Sequence, residues 1–481
     1  MQDLNTVPDN LRVGGGASAS SMHPAVLAAV IISVLLMWVL PRKYVVVPFL
    51  LTVFLTPFGQ QIYIAGLHIF ASRMLIMGGL VRLAAARKFS KTDIIAGGLT
   101  SIDKVFIFWA LFRAAATFLE FLDKASVINQ GAFLIDTLGG YFLLRFIIRD
   151  QEDISLVIKT FAFVVVILAS TMVNEKVHNL NVFGYIGGRL NPFYRDGAIR
   201  SQGTFSGPIE AGAFGATVLC LFVWLLWSGT SRFIGAAGVI GSVVMVGTSA
   251  SSTPMLALGG AVLAILFWPL RRKMRAIRWG LVILLVSLHL MMNAPVWMLI
   301  NHVDLIAGSS GYHRAMIIDA CVRHFSDWWL IGVKSSKDWG WDMWDQANQF
   351  VADAENGGLA TLVCLILILS RCFGRLGSAR KLSAGNRSKE LLFWLLGGTL
   401  FSYVLAFFGL SFTDEMIFSW FALLAMICAS TVPSLVKRTA IVSPVRMLVG
   451  MQPFEWSSED ASVCQQDTDW LGRKRVPTSE I

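Results

Sequence analysis

Arg200, Gly203, Phe205 and Pro208 lie in the stretch 199–212, where residue types and spacing first suit chemistry. Gly203 and Gly207 let the backbone turn and approach a ligand closely. Pro208 suits the first turn of a helix. An arginine fork just above a helix N-terminus can cradle phosphate oxygens. Arginines in such a segment suit lipid headgroups equally well. The wider segment 174–208 holds Lys176, Arg189, Arg195 and Arg200 against Glu175 and Asp196, a cationic excess that calls for a reason.

A second segment, 301–356, carries Trp328, Trp329, Trp339, Trp341 and Trp344 together with Asp327, Asp338, Asp342, Asp345 and Asp353. Flat aromatic faces with interleaved carboxylates suit carbohydrate, with rings on sugar C–H faces and polar groups on hydroxyls. Tryptophan also collects at the headgroup level of membrane proteins. Their density favours ligand contact or an amphipathic helix lying on the membrane. The run from Ser310 through His313 and Arg314 to Asp319 reads as a helix start.

The elements that must hold these residues are apolar. The 481 residues are 55% hydrophobic and 15% charged, with a mean hydropathy of +0.65, which excludes an ordinary soluble protein. Apolar stretches at 24–40, 44–58, 62–84, 104–122, 131–149, 154–173, 209–228, 233–248, 254–270, 279–300, 357–372, 391–411 and 416–434 predict spanning helices. The first two are joined by Pro41-Arg42-Lys43, so one of them is a candidate for a re-entrant or interfacial segment. The expected fold is therefore an all-α, polytopic transmembrane helix bundle of about 12–13 spans. A polar tail (1–23) precedes the membrane domain (24–435), and a polar tail (436–481) follows it. The N-terminal tail lacks the basic region of a secretory signal, so 24–40 reads as a retained helix.

The net charge of +10 does not indicate nucleic acid. Its cations sit in short loops: Arg82, Arg87, Lys88 and Lys91; the cluster 271–278; and Arg371, Arg375, Arg380, Lys381, Arg387 and Lys389. All three fall on one side when spans alternate, and that side is expected to be cytoplasmic. Segments 174–208 and 301–356 then face the periplasm. No disulfide is expected from the six cysteines, and no Cys/His grouping suggests a metal. Arg73, Arg113 and Asp136 lie within apolar stretches, where ionisable groups are costly and face a partner. Pairing with Asp136 is the favoured reading for the arginines.

These blocks resemble the O-antigen ligase and polymerase superfamily of bacterial envelope enzymes, over roughly residues 60–435. Arg200, Gly203, Phe205 and Pro208 fit that family's Arg-x-x-Gly-x-Phe-x-x-Pro block at full spacing. Arg314 fits the arginine near the start of its long external loop, Gly332 a glycine patch, and Asn348 with Gly358-Leu359 the block that leads into the next span. The family's histidine falls on Ala347, or on Gln346 after a one-residue slip. Its Ser-x-Ser-Arg patch is present only as Ser249-Ala250-Ser251-Ser252, without the arginine. Both departures favour a polymerase over a ligase.

The resemblance implies a glycosyltransferase of the cell inner membrane that polymerises polyprenyl-diphosphate-linked oligosaccharide units at the periplasmic face. It implies no metal or cofactor. Arg200 and Arg314 take the catalytic role of receiving the departing diphosphate. Gly203, Phe205, Asn348, Trp339, Trp341 and Arg195 become substrate contacts, and His313, Asp345 and Glu355 candidate bases, with Asp353 beside them. Implied partners are the lipid-linked glycan, the bilayer and a chain-length regulator. The rival readings are ligase-type transfer to another acceptor, a lipid-linked glycan flippase or transporter, and a non-catalytic scaffold. A transporter would ordinarily carry a two-halved repeat with matched broken helices, and none is evident here.

Overall fold

The computed structural model describes residues 21–64, 67–86, 95–195, 197–302, 311–340, 343, 347–412 and 415–432. Among these the chain is mostly helical. The first helices are α1 (Pro24–Val39), α2 (Val46–Leu55), α3 (Ala71–Ala86) and α4 (Ser101–Phe121). They are followed by α5 (Lys124–Leu134), α6 (Gly140–Ile147), α7 (Gln151–His178), α8 (Pro208–Ser228), α9 (Arg232–Ser249) and α10 (Ser252–Leu266). The last are α11 (Met274–Met291), α12 (Gly311–Arg323), α13 (Phe325–Trp328), α14 (Gln349–Leu382), α15 (Arg387–Ala406) and α16 (Met416–Ser430). A π turn over Ile135–Gly139 makes α5 and α6 one continuous rod.

Among the described residues, seven helices are long and apolar enough to cross a membrane: α5 with α6, α7, α8, α9, α11, α14 and α15. This is fewer than the thirteen apolar stretches, although every stretch contains a helix. Length accounts for most of the difference. α1 has 16 residues and α10 and α16 have 15 each. At about 1.5 Å per residue these reach roughly 24 Å, short of a core about 30 Å thick. α4 has 21 residues but carries Asp103, Lys104, Arg113 and Glu120.

Local signals explain the boundaries. Pro208 opens α8 after an extended Gly207, and Gly229 closes it at φ 76°. A capping box starts α4: the Thr100 hydroxyl accepts from the Asp103 amide, and the Asp103 carboxylate accepts from the Thr100 amide. Asp150 caps α7 through the amides of Glu152 and Asp153.

The structure refines three of these segments. The stretch 62–84 does not begin as a helix. β1 (Gln61–Ile64) pairs antiparallel with β2 (Leu67–Phe70), and α3 starts only at Ala71. Alternation across Gln61, Ile62, Tyr63 and Ile64 has the period of a strand. The segment 174–208 is not an open loop, because α7 runs on to His178 and residues 201–205 are buried. The segment 301–356 contains α12, α13 and the first turns of α14, which enclose a small core of Ile317, Cys321, Trp328, Val351 and Ala354.

The main core is built from α7, α8, α9, α10 and α15, with α4 along α14. Close approach depends on small residues, as expected where lipid tails compete equally with apolar side chains. A Cβ at Gly238 would stand 2.6 Å from the Phe222 ring, and one at Gly241 2.8 Å from Val165. Charge is also buried. Arg145 Nε and Nη2 donate to the two oxygens of Asp103 at 3.0 and 3.1 Å, and the Tyr141 hydroxyl donates to Asp103 at 2.5 Å. Arg73 forks onto Asp136, with Nε donating at 2.9 Å. Arg113 has a different partner: its Nη1 lies 3.9 Å from Asp353 Oδ1 and its guanidinium 4.8 Å from the Phe133 ring centroid.

Candidate functional site

The corner between α9 and α10 collects both arginines singled out in the sequence. Ala250 turns it at φ 44°, a left-handed conformation that costs a non-glycine residue about 1–2 kcal/mol. Arg200 donates through Nε to the Ser249 carbonyl at 3.4 Å and through Nη2 to the Ser251 hydroxyl. Arg314 donates through Nη1 to the Ser252 hydroxyl at 3.0 Å. Two guanidinium groups from distant segments thus bond to adjacent serines. Ser251 occupies the N-cap position of α10 without capping it, because its hydroxyl donates to the Ser249 carbonyl at 2.9 Å. The positive end of a helix therefore opens at the corner the two cations share.

Arg200 is delivered by a hairpin. β3 (Phe193–Arg195) pairs with β4 (Ala198–Arg200), with Phe193 opposite Arg200. The chain then dives into the bundle. The Ser201 amide donates to the Thr248 carbonyl at 3.1 Å, and the Ser201 hydroxyl to the Met172 carbonyl at 2.9 Å. The Gln202 and Gly203 amides donate to the buried carboxylate of Glu175 at 3.1 and 3.0 Å. Asn181 Nδ2 donates to the Gly203 carbonyl at 2.7 Å, and the Thr204 hydroxyl to the Phe54 carbonyl at 2.8 Å. Gly203 sits at φ 61°, where glycine is favoured. Phe205 is 1% exposed and packs against Phe54 and Phe214. Gly203 and Phe205 therefore build the site from behind, and their reading as substrate contacts is corrected by burial. Arg195 is exposed on the hairpin. Glu175 and Asn181 were missed: Glu175 reads in the sequence as one loop charge among several, and its amide partners lie 27 and 28 positions away.

Arg314 is 8% exposed on α12. It stands at the edge of a cavity of about 350 Å³ whose walls include Leu256, Leu285, Trp297, Leu405 and Phe408, with Ser252 and Thr253 beside the arginine. Trp297 is fixed over this space by Asp319, which accepts from its indole N–H at 3.2 Å while pairing with Arg323 at 2.6 Å. Both were missed, since Trp297 falls inside an apolar stretch. The cavity lining is thus mostly apolar, with Arg314 its one charged side chain.

The remaining candidates spread around this centre. His313 is half-buried beside Arg314. Glu355 is 1% exposed in the small core. Burial, reinforced by the Glu355 charge, pushes the Cys321 thiol up to about 12. Trp339 stacks on His324 with ring centroids 5.4 Å apart. Asn348 is fully buried; its Oδ1 caps α14 by accepting from the Phe350 and Val351 amides at 3.0 and 3.3 Å. Its Nδ2 has no hydrogen-bond partner among the described residues. Trp341 and Asp345 lie outside the described residues, as does Gln346. No group of metal-ligating side chains occurs among the described residues, and the five described cysteines are buried free thiols.

Two of the sequence blocks meet away from the arginines. α14 breaks at Gly357 and Gly358, the latter at φ 68°. The chain folds back there, because the Thr361 hydroxyl donates to the Asp353 carbonyl at 2.6 Å. In an unbroken helix eight residues would separate them by about 12 Å along the axis. The Val333 amide donates to the Glu355 carbonyl, and the Leu359 amide to the Trp329 carbonyl, both at 2.9 Å. A Cβ at Gly332, whose φ is 100°, would stand 2.1 Å from the Glu355 oxygen. Gly332→Ala is expected to lower thermal stability by about 2–3 kcal/mol. Gly374→Ala, where a Cβ meets open space within α14, is expected to be neutral or mildly stabilising. Melting curves of the two purified variants make the comparison.

No protein-family model matches this chain, and no curated protein matches it.

Proposed function

We propose that this chain is a membrane enzyme that polymerises polyprenyl-diphosphate-linked oligosaccharide units. It lies in the bacterial inner membrane with twelve or thirteen of its apolar stretches in the bilayer, and it works at the periplasmic face. The observation that carries the reading is the bonding of Arg200 and Arg314 to adjacent serines of one turn, with Arg314 and Ser252 also lining an apolar cavity.

The chemistry follows from where charge grows. An acceptor hydroxyl attacks the anomeric carbon, the C–O bond to the diphosphate breaks, negative charge builds on the departing lipid diphosphate, and the hydroxyl's proton passes to that diphosphate. Cations fixed in a site of low polarity stabilise that charge without reorganising. Arg200 and Arg314 supply them, and the opening turn of α10 adds its dipole. The serines hold both forks in place, so little orientation remains to be fixed as the bond breaks. The cavity wall of Leu256, Leu285, Leu405 and Phe408 suits the first isoprene units of the same molecule.

The test is turnover in proteoliposomes given a polyprenyl-diphosphate-linked oligosaccharide. A ladder of longer lipid-linked chains is expected. Transfer of one unit to a different acceptor, without chain growth, would replace polymerase by ligase. Absence of both products, with passage of the lipid between leaflets, would replace the enzyme by a flippase.

A further inference from the structure

We infer that α11 and the basic turn before it hold an anionic diacyl phospholipid. Leu281, Val282, Ile283, Leu284, Leu285 and Val286 are consecutive and between 42% and 62% exposed. At about 100° per residue, six consecutive positions pass more than once around a helix. No face of α11 is therefore sealed against protein, and none of its residues is buried. It packs chiefly on the two short turns that lead into and out of it, Trp268–Arg272 and Val296–His302. The other long apolar helices bury part of their length.

Charge accumulates at the start of this helix. Arg272, Lys273, Arg275 and Arg278 are exposed, and residues 268–291 contain no carboxylate. Arg271 alone is neutralised there, by Glu390 at 2.9 Å, and it lies 4.1 Å over the Trp268 ring. Arg380 reaches the same Glu390 at 3.7 Å, which brings the α14–α15 corner, with exposed Lys381 and Arg387, to the same end. The Trp268 and Trp394 rings, 6.0 Å apart, mark that end as a headgroup-level anchor. A basic collar that continues into a largely exposed apolar helix fits one molecule with a phosphate head and acyl chains. A soluble polyanion would match the collar and leave the helix bare.

The inference rests on the bilayer placement in the proposed function and not on its glycan chemistry. Loss of lipid preference and loss of glycan transfer are separate results. The experiment is native mass spectrometry of the full-length protein in detergent, titrated with phosphatidylglycerol or phosphatidylcholine. Wild-type protein is expected to retain phosphatidylglycerol at least about tenfold better. Each of Arg272→Gln, Lys273→Gln, Arg275→Gln and Arg278→Gln should weaken that retention by roughly fivefold, following about 1 kcal/mol per cation near an anionic lipid. These are single substitutions of exposed side chains, so the fold survives each of them. Equal retention of the two lipids, or undiminished phosphatidylglycerol in all four variants, overturns the inference.

Discussion

Replacing Arg314 with lysine is expected to cut glycan transfer by roughly 100- to 1000-fold while the protein still folds and inserts. The guanidinium donates to Ser252 through Nη1, and its planar fork matches the geometry of phosphate oxygens. A lysine ammonium is a single point on a flexible stem. It can hold the serine or the ligand, and it cannot present two parallel donors. Arg200→Lys is expected to fall in the same range, because Arg200 also bonds across the corner, to Ser249 and Ser251. The assay is initial-rate turnover in proteoliposomes, with melting temperature as the check on folding. Near-wild-type rates for both variants would remove the arginines from the chemistry.

The second large effect concerns stability. Arg145 and Asp103 both have fully buried side chains. Arg145→Met leaves the Asp103 carboxylate buried with the Tyr141 hydroxyl and the Thr100 amide as remaining donors. Breaking such a pair is expected to cost about 3–5 kcal/mol. Removing both charges in the double variant Arg145→Met, Asp103→Leu should recover much of that loss, because no uncompensated charge remains. Thermal denaturation of the purified variants measures both. A double variant no more stable than Arg145→Met alone would mean that the capping of α4 by Asp103 outweighs the buried charge.

Much of the frame was legible because its signals are local. Gly207-Pro208 announces the start of α8. The apolar stretches locate the helices, since a membrane segment must close its own backbone hydrogen bonds. What could not be read depends on distant partners. Arg113 reaches Asp353, a carboxylate 240 positions away, and not the nearer Asp136. Glu175 turns inward because amides from a later segment arrive at it. Gly357-Gly358 looks like an ordinary lead into a span, whereas its dihedral angles fold the chain back. Burial likewise removed Phe205 from the surface the sequence assigned to it. The serines of the Ser249–Ser252 corner are reached by arginines from two distant segments, which no local spacing announces.

The central claim, that Arg200 and Arg314 receive one lipid diphosphate, is tested most directly by binding. Purified protein would be titrated with a polyprenyl diphosphate and with the matching polyprenyl alcohol, alongside Arg200→Gln and Arg314→Gln. The expected result is a strong preference of the wild type for the diphosphate that both variants lose, with affinity for the alcohol unchanged. If either variant keeps the full preference, the two guanidinium groups do not share that ligand and the account fails.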